Sequence, residues 1–261
     1  TREMSGVEID PVRQTARIEA GTKWGKVLAA AQEYGLAPLL GSSPTVGAVG
    51  YTLGGGLGWL GRKYGLSTDS VIQFEVVTAD GSLRTVSSTE NSELFWGLRG
   101  GGGSLAVITA MTVRLYPVSQ VYAGNLYYPA ALAGEVFRRY RDWIAAAPDE
   151  LTSSVVIMNF PPIPQVPDFL RGKSFAIVRG CYCGSLSQGE ALLCYWRDWQ
   201  APQIDDFKPI SFRDAALISN DPSDPSPGFN TGAWLRELSD AVIDTILGYA
   251  MSTGQPSPVV F

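Results

Sequence analysis

A chain of 261 residues with 45% hydrophobic, 17% charged and 11% aromatic side chains has the composition of a folded protein, with room for one large domain or two small ones. A net charge of -5 with scattered basic residues argues against nucleic acid and anionic membrane as partners, and no run approaches the roughly 18 apolar residues of a membrane span, so a soluble, cytoplasmic protein is expected. There is no histidine, which excludes Ser-His-Asp and Cys-His catalysis; Cys181, Cys183 and Cys194 alone supply neither a disulfide framework nor a metal site.

In chain order, VEID (7–10) and ARIEAG (16–21) alternate like strands about an Asp-Pro turn. Thr22 is placed to cap a helix through KWGKVLAAAQEY, which puts Trp24, Val27, Leu28 and Ala31 on one face and stops at Gly35. Residues 41–65, GSSPTVGAVGYTLGGGLGWLGRKYG, are dense in glycine. VIQFEVVTADGSLRTVSS reads as a hairpin turning at Asp80-Gly81. NSELFWGLRG is a short helix capped by Asn91 or Ser92, followed by a turn at Gly100–Ser104 and a long strand, LAVITAMTVRLYP, ended by Pro117. Helices are expected over 130–145, 187–199 and 234–248, and strands over 152–158, 173–183 and near 257–261. Arg138, Arg139 and Arg141 read as a solvated helix face, Cys181 and Cys183 as small buried hydrophobes. The mixed order implies α+β architecture in both parts, with a boundary near Val118–Tyr122. Both ends look like strand sequence cut within a domain, the expectation for an internal segment of a longer protein.

Glycine weakens helix and strand alike, so the run over 41–65 needs a reason. The interleaved Val46, Val49, Tyr51, Leu53, Leu57, Trp59 and Leu60 are wrong for a solvated tether, which leaves close approach of main chain to a ligand. Gly56, Gly58 and Gly61 form a G-x-G-x-x-G with Asp80 downstream, but a dinucleotide fingerprint must follow a clean strand and open a helix. A nicotinamide-dependent Rossmann dehydrogenase therefore stays an alternative that needs a helix directly after Asp80-Gly81. A Walker A loop lacks its lysine.

GSSPTVGAVGYTLGGGLGWLGRKYGLSTDSV, VVTADG and ENSELFWGLRGGGGSLAVIT together resemble, in order and spacing, the vanillyl-alcohol-oxidase type FAD-linked oxidases, in particular their berberine-bridge-enzyme-like branch. The resemblance implies a partial PCMH-type FAD-binding domain over 1–119 and a partial α+β substrate domain with an antiparallel sheet over 120–261. It further implies FAD held by Ser43, Pro44, Thr45, Val46, Gly47, Gly50, Tyr51, Gly54, Gly55, Gly56 and Val107. In that family Val46 lies beside the flavin's oxygen-reactive edge, Tyr51 near the ribityl chain and Val107 at the adenine. The implied activity is oxidation of a small hydroxylated metabolite or sugar with oxygen as the second partner; the alternative is a non-catalytic remnant or binding subunit.

Departures from the family pattern are also readable. Ser43 stands where bicovalent members have a flavin-linking cysteine, Ser104, Leu105 and Ala106 replace asparagine, phenylalanine and glycine, and Leu57 replaces an aromatic. The family's flavin-linking histidine would precede Thr1. Tyrosines 122, 127, 128, 182 and 249 have the chemistry of a general base, but each is better explained as a half-buried strand aromatic, so no catalytic residue is assigned.

Overall fold

The computed structural model describes residues 1–221 and 231–250, which places the expected strand near 257–261 outside the described residues. The chain forms two compact units, Thr1–Val121 with Ile210–Asp224, and Tyr122–Pro209 with Pro225–Phe261.

In the first unit β1 (Val7–Asp10), β2 (Thr15–Glu19), β3 (Val71–Val77), β4 (Leu83–Ser87) and β5 (Val107–Arg114) form one sheet in the order β1-β2-β5-β3-β4. Every pairing is antiparallel. Alternation places Ala16, Ile18, Phe74, Val76, Met111 and Val113 in the core. On the other face, Arg17 of β2 reaches past β5 to Glu75 of β3 with paired bonds of 2.7 and 2.8 Å, and this guanidinium holds the Glu75 carboxyl below its ordinary pKa. After Asp80-Gly81 the chain returns at once as β4, with Gly81 at φ +79°. A strand follows where the dinucleotide fold needs a helix, and the Rossmann alternative is thereby overturned.

Helix α1 (Trp24–Gln32) buries Trp24, Val27, Leu28 and Ala31, the face its periodicity marks. Its start differs from expectation. Lys23 occupies the cap position without a side-chain bond, while the Thr22 hydroxyl donates to the Gly6 carbonyl at 3.2 Å. The first amides of the helix donate instead to carbonyls of the glycine-rich segment, Trp24 to Val46 at 3.0 Å and Gly25 to Pro44 at 2.8 Å. They satisfy what a capping side chain would have left over. That segment is itself partly helical, with α2 (Ala48–Leu53), α3 (Gly61–Tyr64) and a 3-10 turn at Ser67–Ser70; α4 (Ser92–Leu98) precedes β5.

The second unit is built on β6 (Gln120–Pro129), α5 (Ala133–Ala145), β7 (Leu151–Asn159), β8 (Ser174–Tyr182), α6 (Leu186–Arg197), β9 (Ile204–Asp205) and β10 (Lys208–Ser211). The sheet runs β10-β6-β8-β7, with β9 also against β6. The chain then supplies the first unit with a 3-10 turn at Phe212–Asp214 and α7 (Ala216–Ser219), and returns to the second as α8 (Asp240–Ala250). Tyr128, Val136, Phe137, Trp143, Val178, Trp196 and Ile243 bring one sheet face together with α5, α6 and α8, and a smaller cluster of Val156, Leu170, Phe175 and Ile177 lies on the opposite face.

The arginine cluster of α5 is the partly solvated face expected, and it also carries ion pairs to another helix. Arg138 and Arg141 bind Asp240 at 3.2 and 2.9 Å, Arg138 also binds Asp244 at 2.7 Å, and Arg139 lies 3.8 Å over the Tyr195 ring. The sequence of α5 alone does not reveal that Asp240 and Asp244 of α8, about a hundred residues later, pair with it. Cys181 is buried as expected; Cys183 lies just past the end of β8, half-buried, with its thiol on the Glu150 carbonyl at 3.3 Å. Among the described residues no helix is long and apolar enough to cross a membrane, and no group of three or more acidic or cysteine side chains is arranged to hold a metal ion.

Candidate cofactor cradle

Helix α2 is built on an unusual division of residue types. Ala48, Val49, Thr52 and Leu53 are buried, whereas Gly47, Gly50 and Gly54, spaced three and four apart on the same helix face, are exposed. A Cβ added at Gly47 or Gly50 would meet no atom within 4 Å. The fold does not require glycine there for want of room. Main-chain donors are left over here: the amides of the exposed residues Val46, Gly47 and Gly50, and of the buried Val49, have no acceptor among the described residues. Thr45 and Val46 continue the exposed strip, and the Ser43 hydroxyl shares a 2.9 Å bond with that of Thr45. Such a surface presents N–H groups to a ligand without side chains in the way.

The remaining glycines answer a different need. Gly55 and Gly56 turn the chain at φ +104° and +78°, and their carbonyls accept from Thr68 at 2.9 Å and Ser67 at 2.8 Å. A Cβ on Gly56 would lie 2.5 Å from the Tyr51 ring, and one on Gly58 only 1.9 Å from the Leu40 carbonyl oxygen. Close approach here is of protein to protein. Tyr51 is turned inward, edge-on to Trp24 with centroids 6.0 Å apart; its hydroxyl is buried without a hydrogen-bond partner, and burial raises its pKa.

A second feature adjoins the first. The Gly102 amide donates to the Leu53 carbonyl at 2.9 Å, tying the Gly100–Ser104 turn to the end of α2. Gly100 and Gly102 have φ of +105° and +82° with open space where a Cβ would stand. Beside them a cavity of about 230 Å³ is lined by Val77–Ala79 at the end of β3 and by Gly103–Val107 leading into β5. The structure thus brings Val107 and the exposed glycines into one unit, joined through Leu53. Sequence reading missed the Val77–Ala79 wall, although VVTADG was a recognisable block. Leu57 and Leu105 are exposed, at 66% and 50%.

The fit to an FAD-sized ligand can be judged from these features. Unpaired amides suit phosphate and carbonyl oxygens, and a largely apolar cavity next to them suits a flat heterocycle. The donor set present matches the group.

The five candidate tyrosines separate cleanly. Tyr122 accepts from Arg197 at 3.3 Å, Tyr128 donates to the Trp196 and Gln200 carbonyls at 3.4 Å, and Tyr182 donates to Gln188 at 3.1 Å. Burial pushes the Tyr128 phenol up to about 12. Tyr249 is exposed on α8. Tyr127 is half-buried, its hydroxyl has no hydrogen-bond partner among the described residues, and its pKa is raised by burial and by Asp206. Nearby, Arg179 donates to Asn125 at 3.0 Å and Asn125 to Asp206 at 3.3 Å; burial raises the Asp206 carboxyl. A hollow of about 600 Å³ elsewhere in this unit, between Glu150 and Leu192, gathers no reactive pair.

Residues 1–87 match the family described as FAD binding domain. The chain is 37% identical over 158 residues to an uncharacterized FAD-linked oxidoreductase, YgaK, of Bacillus subtilis, covering 59% of this chain and 35% of that protein. It is 40% identical over 115 residues to (R)-6-hydroxynicotine oxidase of Paenarthrobacter nicotinovorans, covering 44% and 25%. Among solved structures, 6-hydroxy-D-nicotine oxidase from Arthrobacter nicotinovorans superposes with a TM-score of 0.75 at 27% identity, over 85% of this chain and 48% of that one. BBE-like 1 of Physcomitrella patens shares the fold at a TM-score of 0.78 and 24% identity, over 97% and 56%. The chain spans roughly a quarter to a third of the length of these two curated relatives.

Proposed function

We propose that this relative of the FAD-linked oxidoreductases, whose residues 1–87 are an FAD binding domain, is an oxidase that passes hydride from a small hydroxylated metabolite to FAD and the electrons on to molecular oxygen. The observation that carries this reading is the side-chain-free strip of Gly47, Gly50 and Gly54, in which the Gly47 and Gly50 amides have no acceptor among the described residues. The hydroxynicotine oxidases among the relatives favour an oxidase over other FAD chemistry.

When bound, FAD supplies the hydride acceptor that the side chains of this protein lack. The amides of Val46, Gly47, Val49 and Gly50 would donate to its phosphate or ring oxygens, preorganised because α1 already holds the Pro44 and Val46 carbonyls. Ser43, Pro44 and Thr45 shape that loop. Gly54, Gly55 and Gly56 end α2 so that the strip stays bare, and Tyr51 supports it from the protein side. Val107 and the Gly103–Ala106 turn would take the adenine in the cavity they line. Val46 is 41% exposed, a small side chain that leaves an approach for oxygen. Ser43 offers a hydroxyl and no thiol, so no thioether to the cofactor forms through this position.

Purified protein titrated with FAD should acquire the absorbance bands of bound flavin in the blue and near-ultraviolet. After anaerobic reduction, stopped-flow mixing with oxygen should show rapid reoxidation. Protein that stays colourless with added FAD would defeat the cofactor assignment, and sluggish reoxidation would defeat the oxidase.

A further inference from the structure

The segment that rejoins the first unit ends on the cofactor loop. Phe212 donates its amide to the Ser119 carbonyl at 2.9 Å, and Phe212, Ala215 and Ile218 are each at most 2% exposed, which seats the 3-10 turn and α7 firmly. Asn220 then adopts the left-handed conformation, φ 50° and ψ 45°, and closes α7. The next residue, Asp221, accepts a hydrogen bond from the Ser42 hydroxyl at 2.5 Å. Ser42 adjoins Ser43, and the loop beyond it is held from its other side by the Trp24 and Gly25 amides on Val46 and Pro44. The loop therefore has two clamps. One is local, from α1, and the other arrives 179 residues later.

We propose that Asp221 is a positioning residue of the cofactor site, fastening the Ser42–Gly47 loop through Ser42 so that its amides are set before FAD arrives. The inference rests on the cofactor reading above and concerns loop order, which can be measured without the cofactor. A loop free to sample other conformations loses affinity in proportion to the population that is incompetent to bind. The bond is exposed, so its effect is modest, and it should appear in the loop and in FAD affinity more than in global unfolding.

The test compares the full-length protein with Asp221→Ala, Ser42→Ala, the double variant, Asp221→Asn and, as a control on the same segment, Asp214→Ala. Hydrogen exchange on FAD-free protein should show faster exchange in the peptide spanning 41–47 for both single alanine variants and no change for Asp214→Ala. FAD titration should give about a 3- to 10-fold weaker Kd for each single variant. The double variant should be no worse than the worse single one. Asp221→Asn, which keeps an acceptor, should recover part of the loss. Unchanged exchange at 41–47 in both Asp221→Ala and Ser42→Ala, or additive losses in the double variant, would overturn the role of Asp221. Failure of the unmodified protein to bind FAD would instead defeat the cofactor reading, and the exchange result would still decide this one.

Discussion

Gly58 and Gly50 sit eight positions apart and are glycine for opposite reasons. At Gly58 a methyl group would overlap the Leu40 carbonyl oxygen, whereas at Gly50 it would stand in empty space. Gly58→Ala must displace main chain, and overpacking of this kind costs about 1–3 kcal/mol, measurable as a lower urea midpoint with an unchanged m-value. Sequence reading assigned the whole run to cofactor approach. It had no way to separate the two classes, because density of glycine is visible in a sequence while the identity of what comes close is not. The resemblance pointed to Gly56 as a cofactor residue for the same reason. Its positive φ and its contact with Tyr51 place the constraint within the protein.

At the level of elements, periodicity located α1, the β3–β4 hairpin and β5 well because each has a buried face to advertise: Trp24, Val27, Leu28 and Ala31 in one case, Phe74, Val76 and Val86 in another. Helix α2 was hidden. It is six residues long, and its exposed side carries glycine where a polar stripe would normally mark amphipathicity. The Arg17–Glu75 pair was equally invisible, since it joins strands separated by 58 positions. Its consequence for stability has a definite sign. The Glu75 carboxyl is held below its ordinary value of 4.5, so the pair contributes fully above that pH, and the contribution disappears as pH falls through the lower folded-state value. Glu75→Gln should cost about 1 kcal/mol at neutral pH, a figure kept small because the pair is partly solvated. The variant and the parent should converge in stability once the pH falls below the lowered folded-state value of this carboxyl. Equal stability at pH 7 would show that the pair contributes nothing.

Over the whole chain, the resemblance carried by the three glycine-bearing blocks implied FAD and an α+β fold with antiparallel sheets, in agreement with the family match and the sheet pairings. The return of residues 210–224 to the first unit was not legible, because a short apolar stretch such as ISFRDAALIS looks the same whichever core receives it. No catalytic residue is assigned among the tyrosines for a related reason. A tyrosine reads identically whether its hydroxyl is satisfied, as in Tyr128 and Tyr182, or has no acceptor among the described residues, as in Tyr127. The proposed function depends on one strip of glycine backbone, and Gly50→Ala tests it with little disturbance. In FAD-free protein this variant should unfold at or above the parent temperature, since alanine is favoured over glycine in a helix by about 1 kcal/mol. Its Kd for FAD, read by titration of flavin absorbance, should rise about tenfold or more, the effect of roughly 1.4 kcal/mol lost at a contact surface. Unaltered FAD affinity in a stably folded Gly50→Ala protein would contradict a cofactor lying against this face.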